Sequence, residues 1–95
     1  MLQDKSIIAI PPGYTLQEQL DLLDISEHEL SNRLNLTPNE VTQLLKGEYV
    51  LNKDIAHKLE LITQVPESFW LNLESIYRDK LLRIIKSIYY RKHLD

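Results

Sequence analysis

The 95-residue sequence predicts an all-α fold of five helices, preceded by an extended segment. Apolar residues recur every three to four positions along most of the chain, which is the helical period. Residues that cap helices precede several of these apolar patterns. Between residues 26 and 47, two short helix patterns are separated by a turn of only three residues. This arrangement is typical of a helix-turn-helix.

The chain is short enough to form one domain, which we place at residues 1–95. We assign residues 1–13 to the extended N-terminal segment. Residues 7–10 form an apolar, mostly β-branched run, and the two prolines that follow disfavour a helix there. The run either packs along the body of the molecule, which is the default expectation, or adds a strand to another protein.

The first helix is predicted to begin at Thr15. Thr15 and Glu18 have the spacing of a capping box, in which side chain and backbone satisfy each other's hydrogen bonds. Leu16, Leu20 and Leu23 follow at helical spacing. They therefore form the apolar face of this helix.

Two further capping boxes predict the paired helices of the helix-turn-helix. The boxes are Ser26 with Glu29, and Thr37 with Glu40. Asn35 lies in the tight turn, where its side chain tolerates a left-handed backbone better than most non-glycine residues do. Gly47 ends the second helix of the pair.

The outer face of the second paired helix is polar. Asn39, Thr42, Gln43 and Lys46 have the spacing i, i+3, i+4, i+7 and form one stripe. Amide side chains can pair with an adenine edge, threonine can contact a thymine methyl group, and lysine can reach guanine or phosphate. With Thr37 at the start of the helix, these residues are the predicted DNA-binding residues. The alternative is an ordinary solvent-exposed helix face.

Asn52 is the predicted cap of the fourth helix, whose apolar face is formed by Ile55, Leu59 and Ile62. Pro66 marks the first turn of a fifth helix, predicted to extend over residues 66–93. This last helix is much longer than the others.

The apolar stripe of the last helix continues beyond the part that a small helical core can cover. Its predicted interface residues are Tyr77, Leu81, Ile84 and Ile88, whose spacing resembles a short coiled-coil seam. The stripe needs a partner, which could be a second copy, a different protein or the N-terminal run folded back. We expect intermolecular contact and a homodimer.

Charge is divided unevenly along the chain. Residues 1–77 carry five Lys and Arg against twelve Asp and Glu, a net charge of −7, whereas residues 78–95 carry a net +4. Nonspecific binding of DNA depends on neutralising phosphates with Lys and Arg, so we expect an acidic body to show little of it. Dimerisation or a basic partner would offset this deficit.

Composition excludes several other classes. The chain has no cysteine, no apolar run long enough to span a bilayer and no signal-peptide pattern in residues 1–12, so we expect a cytoplasmic protein. His28, His57 and His93 are too far apart in sequence to suggest a metal site. We find no catalytic motif and expect neither an enzyme nor a cofactor.

Four sequence blocks carry a resemblance to a known family over about residues 10–78. They are PPGYTLQEQLD, the helix-turn-helix itself, LLKGEYVLNKDIAHKLE and VPESFWLNLESIYRD. The chain resembles the XRE-type helix-turn-helix family and, within it, the HigA-like antitoxins of type II toxin–antitoxin modules. PESFWLNLE is the most specific block. Three positions depart from the pattern: Ser31 replaces the usual alanine, Asn35 the usual glycine, and Val65 the usual capping residue before the last helix.

The resemblance implies a lambda-repressor-like domain with two linked activities. One is neutralisation of a HigB-like ribonuclease toxin by direct binding, and the other is repression of the shared operon through operator double-stranded DNA. Similar heads also precede metallopeptidase-like domains, but the sequence has no HExxH pattern. The alternatives are a stand-alone XRE-type repressor and a protein-interaction module that does not bind DNA.

Overall fold

The computed structural model describes residues 8–93 of the chain, with side chains through residue 91. Five α-helices follow one another: α1 (Pro12–Leu23), α2 (Glu27–Leu34), α3 (Pro38–Lys46), α4 (Lys53–Thr63) and α5 (Glu67–His93). The predicted all-α helix-turn-helix fold is confirmed for these residues. Of the predicted extended segment, residues 1–7 lie outside the described residues, and residues 8–11 precede the first helix.

A single apolar core joins all five helices. Most of the side chains that periodicity predicts for the core are fully or almost fully buried, together with Leu51 from the connection between α3 and α4: Leu16, Leu20, Leu30, Leu34, Val41, Leu44, Leu51, Ile55, Ala56, Leu59 and Trp70. Leu23, predicted on the apolar face of the first helix, is the last residue of α1 and is instead 44% exposed. Trp70 is the largest fully buried side chain and brings the start of α5 into this core. We call α1–α4 and residues 67–77 of α5 the head.

The predicted start of the first helix was wrong by one turn. Helix α1 begins at Pro12, its N-cap is Pro11, and no side chain caps it, so Thr15 lies inside the helix. Proline suits the first helical position because its missing N–H is not needed there. A Cβ atom on Gly13 would lie 1.9 Å from the carbonyl oxygen of Leu45, so the first turn of α1 contacts the backbone of α3 directly. Only glycine leaves room for this approach.

The helix-turn-helix has one complete capping box and one half of a box. The Thr37 hydroxyl accepts from the Glu40 N–H, and the Glu40 carboxylate accepts from the Thr37 N–H. Ser26 accepts from the Glu29 N–H, but the carboxylate of Glu29 accepts from Arg33 at 2.6 Å and leaves the second box incomplete. With Arg33 this carboxylate forms an ion pair as well as a hydrogen bond, which the neutral backbone N–H of Ser26 does not offer.

Three of the helices end on a non-glycine residue in the left-handed conformation. These residues are Asp24, Asn35 and Gln64, with φ between 56° and 64°, whereas α3 ends on Gly47. Asn35 thus adopts the turn conformation that the sequence predicts. The hydroxyl of the buried Ser31 donates to the His28 carbonyl at 2.8 Å, so a hydroxyl at this core position is satisfied.

Helix α4 fixes the start of α5. Asn52 caps α4 as predicted, accepting from the Ile55 N–H at 2.8 Å. Val65 offers no side-chain cap to α5, and the carboxylate of Glu60 on α4 accepts instead from the Glu67 N–H at 2.7 Å. Helix α5 has 27 residues, a length of about 40 Å at about 1.5 Å per residue. The molecule measures 50 × 23 × 22 Å, so α5 extends well past the head.

Candidate nucleic-acid interface

Helix α3 is held rigidly on the body of the head. Its inner face buries Val41 and Leu44, and the capping box of Thr37 and Glu40 fixes its first turn. Its last turn ends at Gly47, whose φ of 83° suits glycine. A helix fixed at both ends presents its outer side chains in a defined orientation, as groove recognition requires.

The five predicted DNA-binding residues lie on this helix or at its N-cap. Asn39 and Lys46 are exposed, whereas Thr42 and Gln43 are half-buried at the edge of the stripe. The distance along the helix axis from Asn39 to Lys46 is about 10 Å, at about 1.5 Å per residue. The major groove is about 12 Å wide and admits an α-helix, which is about 10–12 Å across, so the whole stripe could face the bases.

Hydrogen bonding divides the five residues into two groups. Thr37 is engaged in the capping box, and the Thr42 hydroxyl donates to the Pro38 carbonyl at 3.1 Å. Among the described residues, the amides of Asn39 and Gln43 make no hydrogen bond and the ammonium of Lys46 has no ion pair. The two amides and the lysine are therefore available to an external partner, and Thr42 has its methyl group to offer.

The surroundings of α3 supply little positive charge. Arg33 is paired with Glu29 at 2.6 Å, and Lys58 is paired with Asp54 at 3.1 Å while it also donates to the Leu34 carbonyl. These pairs use two of the few cations in the head. Nonspecific attraction of one head to phosphates is therefore weak.

The four predicted interface residues of α5 fall on one helix face, but the head covers them unequally. Tyr77 is only 8% exposed, and a Cβ atom on Gly47 would lie 2.7 Å from its hydroxyl oxygen. Leu81 and Ile84 are half-buried, and Ile88 is exposed. Tyr77 therefore packs at the edge of the head, while the three residues beyond it lead away from the head.

The exposed face of α5 is wider than the predicted seam. Leu82, Ile85 and Tyr89 are also exposed and lie beside Leu81, Ile84 and Ile88. Together these six side chains occupy roughly 160° of the helix circumference, from about 3.6 residues per turn. Such an arc is broad enough to contact more than one helix of a partner.

Sequence reasoning missed two polar contacts that position α5. One is the cap supplied by Glu60, which comes from another helix and leaves no local signal. The other is the pair of Glu74 and Arg78 at 2.5 Å, in which Glu74 is buried and the Arg78 guanidinium lies 5.0 Å from the Tyr77 ring centroid. The i, i+4 spacing of this acid and base was the available signal.

The described residues contain no group of three or more His, Cys, Asp or Glu side chains placed to hold a metal ion. His57 contacts Glu67, with 3.3 Å between Nδ1 and the carboxylate. None of the described helices combines the length and the apolar character needed to cross a membrane.

Comparison with known proteins finds similar chains of two descriptions. An addiction module antidote protein of a HigA family from Coxiella burnetii superimposes with a TM-score of 0.75 at 31% identity, covering 90% of this chain and 94% of that one. The uncharacterized HTH-type transcriptional regulator YddM of Escherichia coli K12 is 32% identical over 66 residues, 70% of each chain. The regulator YbaQ of the same strain is 31% identical over 65 residues, 68% of this chain and 58% of YbaQ. No family model matches the chain.

The likeness to the antidote protein reaches beyond the helix-turn-helix. That motif occupies only residues 26–47, whereas the superposition covers 90% of the chain. Sequence identity above 30% accompanies nearly complete coverage of both chains. The chain belongs to the HigA family of helix-turn-helix addiction module antidotes.

Proposed function

We propose that this chain is an antitoxin that binds and neutralises a HigB-like ribonuclease toxin and, as a homodimer, represses its own operon by binding operator DNA. The observation that carries the DNA-binding part is the polar stripe of α3, in which Asn39, Gln43 and Lys46 have no partner within the described residues. The antidote description of its relative from Coxiella burnetii supports the antitoxin part.

The stripe has the donors and acceptors that base reading needs. Asn39 and Gln43 are one helical turn apart, and each amide can donate to and accept from one adenine edge. The hydroxyl of Thr42 is held by the Pro38 carbonyl, so Thr42 contributes its methyl group to a thymine contact. Lys46 and Thr37 lie at opposite ends of the helix and contact the phosphates on either side.

Operator binding needs two copies because one head has too few unpaired cations. A homodimer doubles every phosphate contact and places two recognition helices in successive major grooves. We propose that the face formed by Tyr77, Leu81, Ile84 and Ile88 joins the copies. Its basic flank, within the net +4 of residues 78–95, adds further positive charge to the assembly.

Operator titrations test the groove assignment. Asn39→Ala and Gln43→Ala should each lose about 1–3 kcal/mol of discrimination at one base position, with folding retained. Lys46→Ala should weaken all sequences alike and lower the slope of log K against log salt by about one unit. Asn72→Ala, at an exposed position on α5, is the matched control. If all three α3 variants bind the operator with the affinity, base discrimination and salt dependence of the parent, α3 is not the helix that reads the groove.

The similarity to YddM and YbaQ, both described as transcriptional regulators, favours a stand-alone repressor as the second candidate. The two functions differ in their partner. An antitoxin should co-purify with the small basic protein encoded beside its own gene, whereas a stand-alone repressor should bind its operator without any such protein. Co-expression of the neighbouring gene product followed by purification separates them.

A further inference from the structure

The solvent side of α1 carries two large apolar side chains that the fold does not use. Tyr14 is 67% exposed and Leu22 is 78% exposed, the highest value among the large apolar residues described. With Glu18 between them they have the spacing i, i+4, i+8, which places all three on one face. Asp21 lies beside Leu22 on the same side. We call these four residues the α1 outer face.

Among the residues that the structure describes, no cation neutralises the acids of this face. Residues 8–32 contain five Asp and Glu and no Lys or Arg. Helices α2, α4 and α5 each pair an acid with a cation four residues away, but α1 has no cation to do so. Among the described residues Asp21 accepts only a hydrogen bond from Gln17 at 3.0 Å, and Glu18 has no ion-pair partner.

Charge decides which partner this face fits. Phosphates are repelled by unpaired carboxylates, so DNA and anionic lipid are excluded. A two-fold contact between two α1 outer faces would bring the same carboxylates of both copies together, and like charges facing each other oppose association. A protein with an apolar depression surrounded by Lys and Arg would satisfy both parts of the face.

We infer that the α1 outer face is the central docking surface for the HigB-like toxin, an inference that rests on the antitoxin function proposed above. A ribonuclease binds the phosphates of RNA, so we expect its surface to be basic. Tyr14 and Leu22 are the anchors, about 12 Å apart along the helix at about 1.5 Å per residue. Aromatic anchors near the centre of an interface carry much of the binding energy, while the surrounding charges set the association rate. Glu18 and Asp21 guide the toxin to these anchors.

The test first identifies a HigB-like toxin gene beside the gene of this chain and then titrates the full chain with the purified toxin. Tyr14→Ser and Leu22→Ser should each raise Kd by about tenfold or more. Glu18→Lys combined with Asp21→Lys should lower the association rate by about tenfold and reduce its salt dependence. Leu61→Ser and Glu48→Lys are matched controls on exposed residues elsewhere and should stay within about twofold of the parent.

Circular dichroism of each variant distinguishes a loss of binding from a loss of folding. Asp21 lies in the last turn of α1, where lysine is favourable to the helix dipole, so the charge-reversal variant should keep its helicity. If all the α1 variants bind the toxin with the affinity of the parent, the α1 outer face is not the docking surface, and the proposed antitoxin function is unaffected. A parent chain that does not bind the neighbouring protein would overturn both. If sedimentation shows that the α1 variants change self-association instead, the face joins copies of this chain and the inference is wrong.

Discussion

The head and residues 78–91 of α5 use the same apolar spacing for opposite purposes. In the head, side chains repeating every three to four residues, such as Leu16, Leu59 and Trp70, are completely buried. In residues 78–91 the pattern continues, yet Leu82, Ile85 and Ile88 keep half or more of their surface exposed. Helical periodicity therefore identifies an apolar face, but the number of neighbouring helices decides whether that face is buried or exposed.

Replacing one large apolar side chain in each region with alanine should give the largest difference in the free energy of unfolding. Trp70→Ala should lower the free energy of unfolding by about 3–5 kcal/mol, because it leaves a cavity in the centre of the core. Ile88→Ala should change the stability of the monomer by less than about 0.5 kcal/mol. Urea denaturation at several protein concentrations measures both. A large loss for Ile88→Ala at the lowest concentration would mean that the end of α5 is covered within one chain.

Charged residues in the exposed face of α5 should act on association rather than folding. Leu81→Glu combined with Ile84→Glu should weaken self-association by about 2–4 kcal/mol while the head stays folded, because buried like charges without partners are costly. Light scattering over a dilution series, alongside a pull-down with the toxin, provides the measurement. If neither the oligomeric state nor toxin binding changes, this face is not an interface.

The cap by which α4 holds the start of α5 should have a smaller effect. Glu60→Ala should cost about 1 kcal/mol, the usual size of an N-cap loss, because the Glu67 N–H loses its acceptor. Glu60→Gln, which keeps an acceptor, should cost less. Glu48→Ala, at an exposed site between α3 and α4, is the control. Thermal unfolding of the three variants ranks them, and equal midpoints for Glu60→Ala and Glu48→Ala would argue against the cap.

The smallest effect is expected when the predicted base-reading residues of α3 are removed and toxin binding is measured. The double variant Asn39→Ala with Gln43→Ala should bind and neutralise the toxin like the parent, because its side chains lie on α3 and not on the α1 outer face. Growth rescue in cells that express the toxin measures this. Lost rescue with normal expression and helicity would place the toxin on the recognition helix itself.

Local patterns predicted most of the fold. The complete capping box at Thr37, the left-handed Asn35 and the cap at Asn52 all follow from short-range rules that act within a few residues. The start of α1 was wrong because its position is set by contact with α3, where Gly13 meets the carbonyl of Leu45. The Glu60 cap was missed for the same reason, since its two ends lie on different helices.

The candidate site was less predictable than the fold. Residue spacing alone was enough to place the α3 stripe on one helix face. Only the structure shows which of its side chains already form hydrogen bonds within the chain, because the sequence allows the Thr42 hydroxyl to face outward as well as toward the backbone. Spacing also grouped Tyr77 with Leu81, Ile84 and Ile88. Tyr77 is covered because it packs against Gly47, which does not belong to that helix.

The three helix ends formed by Asp24, Asn35 and Gln64 give this chain an unused reserve of stability. A side chain in the left-handed conformation costs about 1–2 kcal/mol, less for asparagine and aspartate, and glycine at the same position avoids that cost. The added freedom of glycine in the unfolded chain offsets part of the gain. The balance is most favourable at Gln64, whose side chain has no special tolerance for this backbone. Thermostable versions of the protein could therefore be made by changing the exposed Gln64, in the turn between α4 and α5, without changing the polar stripe of α3 or any side chain of the apolar core.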